Sequence, residues 1–536
     1  MSQEDTSALA PLKNRAFAWL WLGVLVSSIG AWAQTVGAQW LFVNDPNGAT
    51  IVSLVQTATM LPMMLLALPG GVLADAFDRR GLLLGIQCYF VVVALSLAVL
   101  AALGQVPPVL LLAFTFAIGM GTALQLPTWQ PLITELVPRA QIPAATRLDM
   151  VNVNVSRAAG PAIAGGIIAA WGVPPVFFFN AACVAVLALV LLLWRRPSTT
   201  ENSGSRERFL PALRAGGRYV RHEPVVRLIF VRLALFVMPA AAMWALLPIL
   251  ASRQLGLPAS GYGLLFVALG VGAVSAALGL GRVRARLSAN AVLTLSTLLF
   301  AAAFALTMVA PGLWLAGPLL VLVGFGWTAV ASTLMAELQL FLPGWVRARA
   351  LAANLMVFAG TQALAAPLWG LVTQYAGLPV AVYLSAGLLA LVAVAGLRMP
   401  LPQGRPADPS PALYWGEPTR GFEPEPDAGP VQVMISYEVP PADQDSWLAA
   451  MQDVRRSRLR SGAFRWELYR VGERPDHFVE IFAVPSWEEH EHQHRSRLTA
   501  DDRAVEAAAL AFAVGTPTGE HLLPPEVGRR TDPPFG

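Results

Sequence analysis

Twelve long apolar stretches follow one another before residue 400, and they constrain the fold more than any other feature of the chain. A helix of about 20 residues crosses a hydrocarbon core of about 30 Å and satisfies its backbone hydrogen bonds internally. We therefore predict an all-α membrane fold with twelve transmembrane helices. The predicted spans are residues 17–43, 51–74, 81–103, 109–136, 149–171, 175–194, 226–251, 260–280, 289–310, 313–340, 351–376 and 379–397.

The composition agrees with a membrane protein and excludes several other classes. Of the 536 residues, 56% are hydrophobic and 13% are charged, whereas soluble domains carry about 25% charged residues. Lys13 is the only lysine, which excludes a Walker A phosphate loop because that motif requires lysine. Cys88 and Cys183 lie in apolar stretches without partners at a metal-ligand spacing. No metal, cofactor or nucleic acid is expected.

The arginines are unevenly distributed between the loops on the two sides of the predicted membrane domain. The loops after spans 2, 4, 6, 8 and 10 contain sixteen arginines, whereas the opposite loops contain only Arg253. Basic residues concentrate in cytoplasmic loops. We therefore expect a multi-pass protein of the cell (inner or plasma) membrane, with a retained first span and both termini in the cytoplasm.

The second half of the membrane region repeats the first at a shift of 205 residues. Four of the matched pairs are Gly119 and Gly324, Gly121 and Gly326, Gly172 and Gly377, and Pro174 and Pro379. Glycine and proline at matching places fix turns and close helix packing there. A parallel repeat of six spans plus six predicts two six-helix bundles that move about a site near the membrane midplane.

The chain divides into five predicted parts, of which the last is soluble. They are an N-terminal bundle (11–198), a basic cytoplasmic loop (199–222), a C-terminal bundle (223–398), a Pro-rich linker (399–430) and a small α+β domain (431–515). In the last part, alternating stretches at 431–439, 464–471 and 477–484 predict strands, and 442–460 and 486–495 predict helices. The order β-α-β-β-α predicts a ferredoxin-like fold.

A charged turn after span 2 resembles the loop signature of the major facilitator superfamily. The motif runs from Gly71 through Asp75 to Arg79 and Arg80. The resemblance implies a gate: a glycine that allows close helix packing, an aspartate that faces a helix terminus of the other bundle, and basic companions. The sequence has Ala76 where the family usually has a basic residue.

A second motif, in span 5, resembles the Gly-Pro-x-x-Gly-Gly signature of exporters in that superfamily. It comprises Gly160, Pro161, Gly165 and Gly166. Proline removes a helix hydrogen bond and the small residues allow close backbone approach, which would shape and seal an interface between bundles. The surrounding sequence is similar to the enterobactin exporter and macrolide efflux branch and to the transmembrane secretion effector group. This resemblance implies export of a hydrophobic or siderophore-like small molecule by alternating access, with proton coupling.

Ionisable side chains inside spans are costly and usually functional. Arg157 lies about two turns into span 5, and it either contacts a substrate anion or balances a carboxylate such as Glu135. Asp149 and Glu337, the latter with Arg232 as a candidate partner, are the predicted proton-coupling residues. Amides and aromatic rings suit a bulky amphipathic substrate, although such residues also join or anchor helices. The predicted substrate-binding residues are Gln34, Gln125, Trp129, Asn154, Arg157, Trp327 and Asn354.

The C-terminal domain resembles the antibiotic-biosynthesis monooxygenase-like domains that form dimeric α/β barrels. This resemblance implies homodimerisation through the domain. His490 and His494 are one turn apart, and we expect a solvated helix face or a dimer contact there rather than a metal site. The alternative to a transporter is therefore a membrane-anchored monooxygenase or isomerase whose working part is residues 431–515.

Overall fold

The computed structural model describes residues 7, 9–194, 209–402 and 424–524. The first part of the predicted basic loop and most of the predicted linker lie outside these residues. The chain forms two compact units. The first unit is Met1–Asn202, Phe230–Ala336 and Ala352–Leu401, and the second is Ser203–Ile229, Glu337–Leu351 and Pro402–Gly536.

Within the described residues, twelve long helices follow the predicted spans, which confirms the predicted fold class. They are α1 (Arg15–Leu41), α2 (Gly48–Ala76), α3 (Arg79–Ala102), α4 (Pro108–Leu136), α5 (Ile142–Trp171), α6 (Pro174–Leu193), α8 (Pro224–Ile249), α9 (Ala259–Arg284), α10 (Ala289–Leu306), α11 (Leu313–Phe341), α12 (Arg347–Ala376) and α13 (Leu378–Arg398). Their ends agree with the predicted spans to within about four residues, except that α5 begins seven residues before its predicted span. Between α6 and α8 lies a shorter helix, α7 (Phe209–His222).

Among the described residues, eleven helices are long and apolar enough to cross a membrane. The twelfth, α5, has 30 residues and is about 45 Å long at 1.5 Å per residue. Its hydropathy is lower because it carries Asp149, Asn152, Asn154 and Arg157. Helix α5 is therefore long enough to cross the membrane, and its polar and charged side chains make it a candidate for functional contacts.

Side-chain caps and glycines set the ends of several helices. The side chain of Asn14 accepts a hydrogen bond from the Ala16 amide at 3.0 Å and begins α1. Gly172 ends α5 with a φ of 84°, and Gly377 ends α12 with a φ of 91°. Both angles lie in the left-handed region that favours glycine, and these two residues are a matched pair of the repeat.

The repeat is visible in the packing as well as in the sequence. A Cβ added at Gly119 of α4 would lie 2.9 Å from Pro62 of α2, and one added at Gly324 of α11 would meet the backbone of Leu269 of α9. Since α11 and α9 are the repeat equivalents of α4 and α2, matched glycines allow matched helices to pack. The two six-helix halves therefore share one internal arrangement.

A polar contact also repeats at the shift of 205 residues. Asn180 of α6 donates its side-chain amide to Gln34 of α1. At the equivalent positions, Ser385 of α13 donates its hydroxyl to the carbonyl of Pro239 of α8 at 2.8 Å. Each half thus joins its first and last helix through a buried hydrogen bond.

The second unit contains α7, which was not predicted from the sequence. Ala215 and Tyr219 are buried, whereas Arg214 and Arg221 are exposed, so α7 is amphipathic. The Tyr219 hydroxyl donates to the Phe341 carbonyl at 3.3 Å. The expected loop at 199–222 therefore includes a helix that packs on the connection between α11 and α12.

The second unit also contains the small α+β domain. Its elements are β1 (Val431–Glu438), α14 (Gln444–Ser461), β2 (Arg465–Arg470), β3 (His477–Val484), α15 (Trp487–His492), α16 (Ala500–Leu510) and β4 (Thr518–Leu522). The sheet order is β2-β3-β1-β4, and all three pairings are antiparallel. This is the predicted ferredoxin-like arrangement, completed by β4 beyond the predicted boundary at residue 515.

Candidate functional site

The exporter-like motif of α5 lies where the two bundles of the first unit meet. A Cβ added at Gly165 would lie 2.6 Å from the carbonyl oxygen of Ala259 on α9. A Cβ at Gly263 of α9 would lie equally close, 2.6 Å, to the carbonyl oxygen of Pro161. Gly160 packs on α1, where an added Cβ would lie 2.5 Å from the Trp32 Cβ. These residues therefore hold α5 against both α1 and α9.

Gly166 differs from its neighbours, because a Cβ there would meet nothing within 4 Å. The close packing predicted for the motif thus rests on Gly160, Pro161 and Gly165. On the symmetry-related side, Gly370 of α12 packs on α2, and an added Cβ would lie 3.0 Å from the Ala49 carbonyl oxygen. The two bundles therefore meet along two equivalent helix pairs.

Arg157 lies one turn before this motif. Its guanidinium carbon is 5.7 Å from the centroid of the Trp32 ring, a cation–π distance. Its Nε is buried and, within the described residues, has no hydrogen-bond partner. A buried donor left in this way costs about 1–3 kcal/mol.

Glu135, the carboxylate predicted to balance Arg157, and Asp149, which lies eight residues before it, are both engaged elsewhere. Asp149 accepts hydrogen bonds from Trp129 Nε1 at 3.0 Å and from Gln130 Nε2 at 3.1 Å. Glu135 forms an ion pair with Arg79. Arg157 therefore keeps a positive charge at the junction of the bundles, next to an aromatic ring.

A continuous set of aromatic rings extends from Trp32 into the second bundle. Trp32 contacts Phe266 with ring centroids 6.2 Å apart, Phe266 contacts Trp244 at 6.1 Å, and Trp244 contacts Trp327 at 5.5 Å. We call these four residues the aromatic seam. The indole Nε1 of Trp244 is also buried without a hydrogen-bond partner in the described part of the chain. Together with the adjacent Arg157 Nε, the seam thus offers ring faces and two N–H donors, one from each bundle.

The structure brings two of the predicted substrate-binding residues, Arg157 and Trp327, to this seam. Two others are used inside the first bundle: Gln34 accepts from Asn180, and Trp129 donates to Asp149. Asn154 donates to the carbonyl of Met150 in its own helix at 2.8 Å. Gln125 is half-buried and Asn354 is buried.

Sequence reasoning missed Trp244 and Phe266, which complete the seam. Both lie in the middle of strongly apolar spans, where hydropathy does not distinguish an inward-facing ring from a lipid-facing one. The repeat offered no signal either, because the equivalent positions hold Gln39 and Leu61.

The two bundles are joined by hydrogen bonds at the end that carries the α1–α2 loop. Ser252 Oγ and Asn44 Oδ1 are 3.1 Å apart, and Arg253 donates to the carbonyl of Asp45 at 2.8 Å. Arg253 is the one arginine predicted on this side of the membrane. The second bundle therefore holds the first loop at this end.

Two further hydrogen bonds between the bundles lie deeper in the helices. Tyr262 donates its hydroxyl to Gln39 Oε1 at 2.6 Å, and the contact is fully buried. Gln56 Nε2 donates to Gln362 Oε1 at 2.8 Å. Buried polar groups are stabilised only when paired, so these pairs favour the arrangement in which this end is closed.

The predicted gate after α2 is only partly described. The side chain of Asp75 lies outside the described part of the structure. Arg79 pairs with Glu135, and Arg80 donates to the carbonyls of Leu191 and Leu192 at 3.1 Å, capping the end of α6.

The glycine that packs closely here is Gly70, one residue before the motif, rather than Gly71. A Cβ at Gly70 would lie 3.1 Å from the Ala123 carbonyl oxygen, whereas one at Gly71 would meet nothing within 4 Å. This corrects the packing role expected for Gly71. Asp78 begins α3 by accepting a hydrogen bond from the Gly81 amide at 2.7 Å.

Arg232 finds its partners on α10 and after α13. It donates to Asn290 Oδ1 at 2.7 Å and to the Met399 carbonyl at 3.4 Å. Glu337, proposed as its partner from the sequence, is half-buried and belongs to the second unit.

The second unit contains an ion-pair network built on α14. Arg460 is bonded to Asp502 of α16 and to Glu223, the residue between α7 and α8, each at 2.7 Å. Burial alone would lower the pKa of Arg460, but these two carboxylates outweigh burial and raise it. The network therefore attaches α7 to the small domain.

Three histidines of the small domain form a ring cluster. The His490 centroid is 4.7 Å from that of His494 and 4.8 Å from that of His521. Burial lowers the pKa of His490 to about 2 and that of His494 to about 3. His490 is fully buried, which corrects the solvated helix face expected for it. Over the described residues, no group of three or more His, Cys, Asp or Glu side chains has the geometry to hold a metal ion.

Comparisons with known proteins agree with this architecture. A family model described as “Transmembrane secretion effector” matches residues 6–523, and so includes the C-terminal sheet region. The Staphyloferrin A transporter of Staphylococcus aureus is 25% identical over 226 residues, which are 42% of this chain and 56% of that protein. The Multidrug efflux pump Tap of Mycobacterium tuberculosis is 26% identical over 231 residues, which are 40% of this chain and 53% of that protein. The chain spans about half the length of these curated relatives.

A solved structure, that of the nucleoside transporter NupG, is similar with a TM-score of 0.57. The two chains are 13% identical, and the match covers 71% of this chain and 98% of that one. At this identity the likeness concerns the fold alone, and it agrees with the twelve-helix arrangement of the membrane part. The chain therefore belongs to the transmembrane secretion effector family of major facilitator transporters.

Proposed function

We propose that this protein is a secondary transporter that exports bulky small molecules by alternating access. In this proposal it lies in the cytoplasmic membrane with both termini in the cytoplasm. The arginine distribution supports an outer position for the α1–α2 loop and Arg253.

The observation that carries the proposal is the hydrogen-bonded closure of two repeat-related bundles at one end. Contacts such as Ser252 with Asn44 and Gln56 with Gln362 cross between the bundles there. Export requires a second state in which these contacts break and the same end opens. Two rigid halves that share one internal arrangement are suited to this rocking motion.

The direction of transport and the size of the substrate are inferred from two sources. The relatives that match this chain include a siderophore transporter and a multidrug efflux pump by name. The aromatic seam between the bundles supplies large ring faces, which suit a bulky substrate. Together they favour export of a hydrophobic or siderophore-like molecule.

Proton coupling is part of the proposal, through Asp149 and Glu337. The Asp149 carboxylate accepts N–H bonds from Trp129 and Gln130 at 3.0 and 3.1 Å. Because hydrogen bonds to a charged acceptor are stronger than those to a neutral one, a proton on Asp149 would weaken this contact between α4 and α5. A proton taken up here would therefore change the packing of the first bundle.

Everted membrane vesicles test the proposed function. Vesicles that contain the chain should accumulate compounds from a panel of neutral, cationic and anionic fluorescent molecules when a proton gradient is imposed. Vesicles without the chain supply the baseline. The proposal would be contradicted if the protein is well inserted and no compound of the panel accumulates in response to the gradient.

The alternative, a membrane-anchored enzyme, is separated by a truncation after Pro402. This end point keeps Leu401, whose amide and carbonyl both bond Asn290 at 2.9 Å. A transporter should retain a large part of its vesicle activity after truncation. Loss of all activity with a correctly inserted membrane domain would favour the enzyme.

A further inference from the structure

The aromatic seam has a chemical bias that follows from its two unpaired donors. Arg157 Nε belongs to α5 of the first bundle, and Trp244 Nε1 belongs to α8 of the second. Both atoms are buried and lack a hydrogen-bond partner within the described residues. Both donate only, so the atoms that would satisfy them are acceptors.

The donors are connected by rings rather than by polar side chains. Arg157 stacks on Trp32, Trp32 contacts Phe266 with the rings inclined at 63°, and Phe266 contacts Trp244 at 45°. Aromatic pairs prefer offset or inclined contacts, so a further planar ring can pack beside these rings. A molecule that reaches both donors must therefore have an aromatic or otherwise flat apolar body.

The positive charge of Arg157 at the seam favours a negatively charged ligand. Arg157 carries a guanidinium, which is permanently charged and suited to bidentate contact with a carboxylate. The two carboxylates nearest in sequence, Asp149 and Glu135, are held by Trp129 and Arg79. An anion gains from this arrangement, whereas an organic cation would face uncompensated positive charge.

We propose that the seam binds an aromatic organic acid. Its carboxylate or phenolate oxygen accepts from Arg157, its ring lies against Trp32 and Phe266, and a second acceptor on the same molecule takes the Trp244 N–H. This inference rests on the proposed export function, because it names the substrate class of that same site.

The bundles supply the two ends of this contact, so binding is linked to the transport cycle. The ligand bridges α5 to α8 only when the two donors are as close together as they are in this structure. A bridging ligand stabilises this state over any state that separates the two donors. The same contacts that select the acid therefore favour closure around it.

A matched pair of probes tests the proposal: 6-hydroxy-2-naphthoate and 6-hydroxy-2-naphthamide, called naphthoate and naphthamide below. They share a ring and a hydroxyl oxygen that can accept from Trp244, and they differ in charge. Equilibrium dialysis of the purified full chain in detergent, with empty micelles as the baseline, gives the two affinities. We expect naphthoate to bind about tenfold more tightly than naphthamide, which corresponds to about 1.4 kcal/mol. Arg157→Gln should remove this difference, and Arg157→Lys should reduce it.

Two tryptophan variants distinguish the contribution of the Trp244 N–H donor from that of its ring. Trp244→Phe keeps the ring but removes the N–H, and it should weaken naphthoate binding severalfold. Trp314→Phe changes a residue that is 95% exposed and should leave binding unchanged. Thermal unfolding of each variant in the same detergent shows which changes act through folding, and affinities are compared only among variants that unfold at the wild-type temperature.

The outcomes distinguish this proposal from the export function. Equal affinity for the two probes, or a charge preference that survives Arg157→Gln in folded protein, would overturn the aromatic acid as the substrate class. In that case vesicles that accumulate a neutral or cationic compound would still support export. Preferential naphthoate binding without transport of any compound would support the site and contradict export.

Discussion

The contact between Gly165 and α9 makes the most quantitative prediction for the transport cycle. A Cβ at residue 165 would lie 2.6 Å from the carbonyl oxygen of Ala259 and 3.0 Å from the Cα of Ser260. Both are backbone atoms, so Gly165→Ala must push α5 and α9 apart by about 0.8 Å to reach ordinary contact near 3.4 Å. Overpacking of this kind costs about 1–3 kcal/mol.

This cost applies to the state in which α5 and α9 are in contact. Alanine also stabilises a helix by about 1 kcal/mol relative to glycine, but that gain applies in both states because α5 remains helical. The equilibrium constant between the two states should therefore change by about 5- to 150-fold, away from the state in which α5 and α9 are in contact. Gly166→Ala is the matched control, since its Cβ meets nothing within 4 Å.

Pulsed electron–electron spin resonance measures the shift directly. Nitroxides attached at Gln105→Cys and Pro311→Cys report the separation of exposed loops from the two bundles, after replacement of Cys88 and Cys183. Gly165→Ala should populate a longer distance at this end, and Gly166→Ala should match the parent. Identical distance distributions in the two alanine variants would refute the reasoning that this glycine contact holds the bundles closed.

Three further predictions concern topology and the small domain. A reporter fused in the loop at Gln105 should be external and one at Gly204 cytoplasmic; an external Gly204 would contradict both the arginine argument and the even span count. Because the pKa of His490 and His494 is about 2 and about 3 in the folded state, below the unfolded value near 6.5, the domain should be fully stable above pH 6.5. Below pH 6.5, its free energy of unfolding should fall by about 1.4 kcal/mol per histidine for each pH unit. Hydrogen exchange of the α15 peptide in the full chain, corrected for the intrinsic exchange rate at each pH, measures this free energy. His490→Phe should halve its slope against pH. A free energy of opening that does not change from pH 7 to pH 5 would contradict the burial argument. Arg460→Ala should lower the free energy of opening of α16 and α7, measured by hydrogen exchange, by about 3–5 kcal/mol. The reason is that Asp502 and Glu223 lose their partner. Arg456 is the control, because it is 55% exposed and pairs with Asp453 one turn away. Arg456→Ala should change the free energy of opening by less than about 0.5 kcal/mol. Equal effects of the two variants would count against the network.

The sequence predicted the membrane fold well because the bilayer leaves few choices. Each span must satisfy its own backbone, so hydropathy and length locate helices such as α1 and α13 to within a few residues. The repeat was visible because glycines such as Gly119 and Gly324 serve the same backbone approach in both halves. These features depend on local sequence and on a shared internal arrangement.

The site was predicted only in part, because its members are joined by contacts distant in sequence. Arg157 was recognisable as a charge inside a span. Phe266, which contacts the Trp32 ring beside Arg157, lies 109 positions away and carries no polar signal. Gln34 was equally plausible as a substrate contact, and its bond to Asn180 required knowledge of how α1 packs on α6. Helix α7 was missed because the sequence around it is polar and arginine-rich, and its apolar stripe is narrow.

Alternating access is tested most directly by a reversible lock across the closed end. Asn44→Cys and Ser252→Cys place two thiols where Oδ1 and Oγ are 3.1 Å apart, in a chain whose native cysteines have been replaced. Gradient-driven accumulation by everted vesicles is then measured before oxidation, after oxidation and after reduction. The account predicts that oxidation stops transport and that reduction restores it, whereas undiminished transport by the fully cross-linked protein would contradict it.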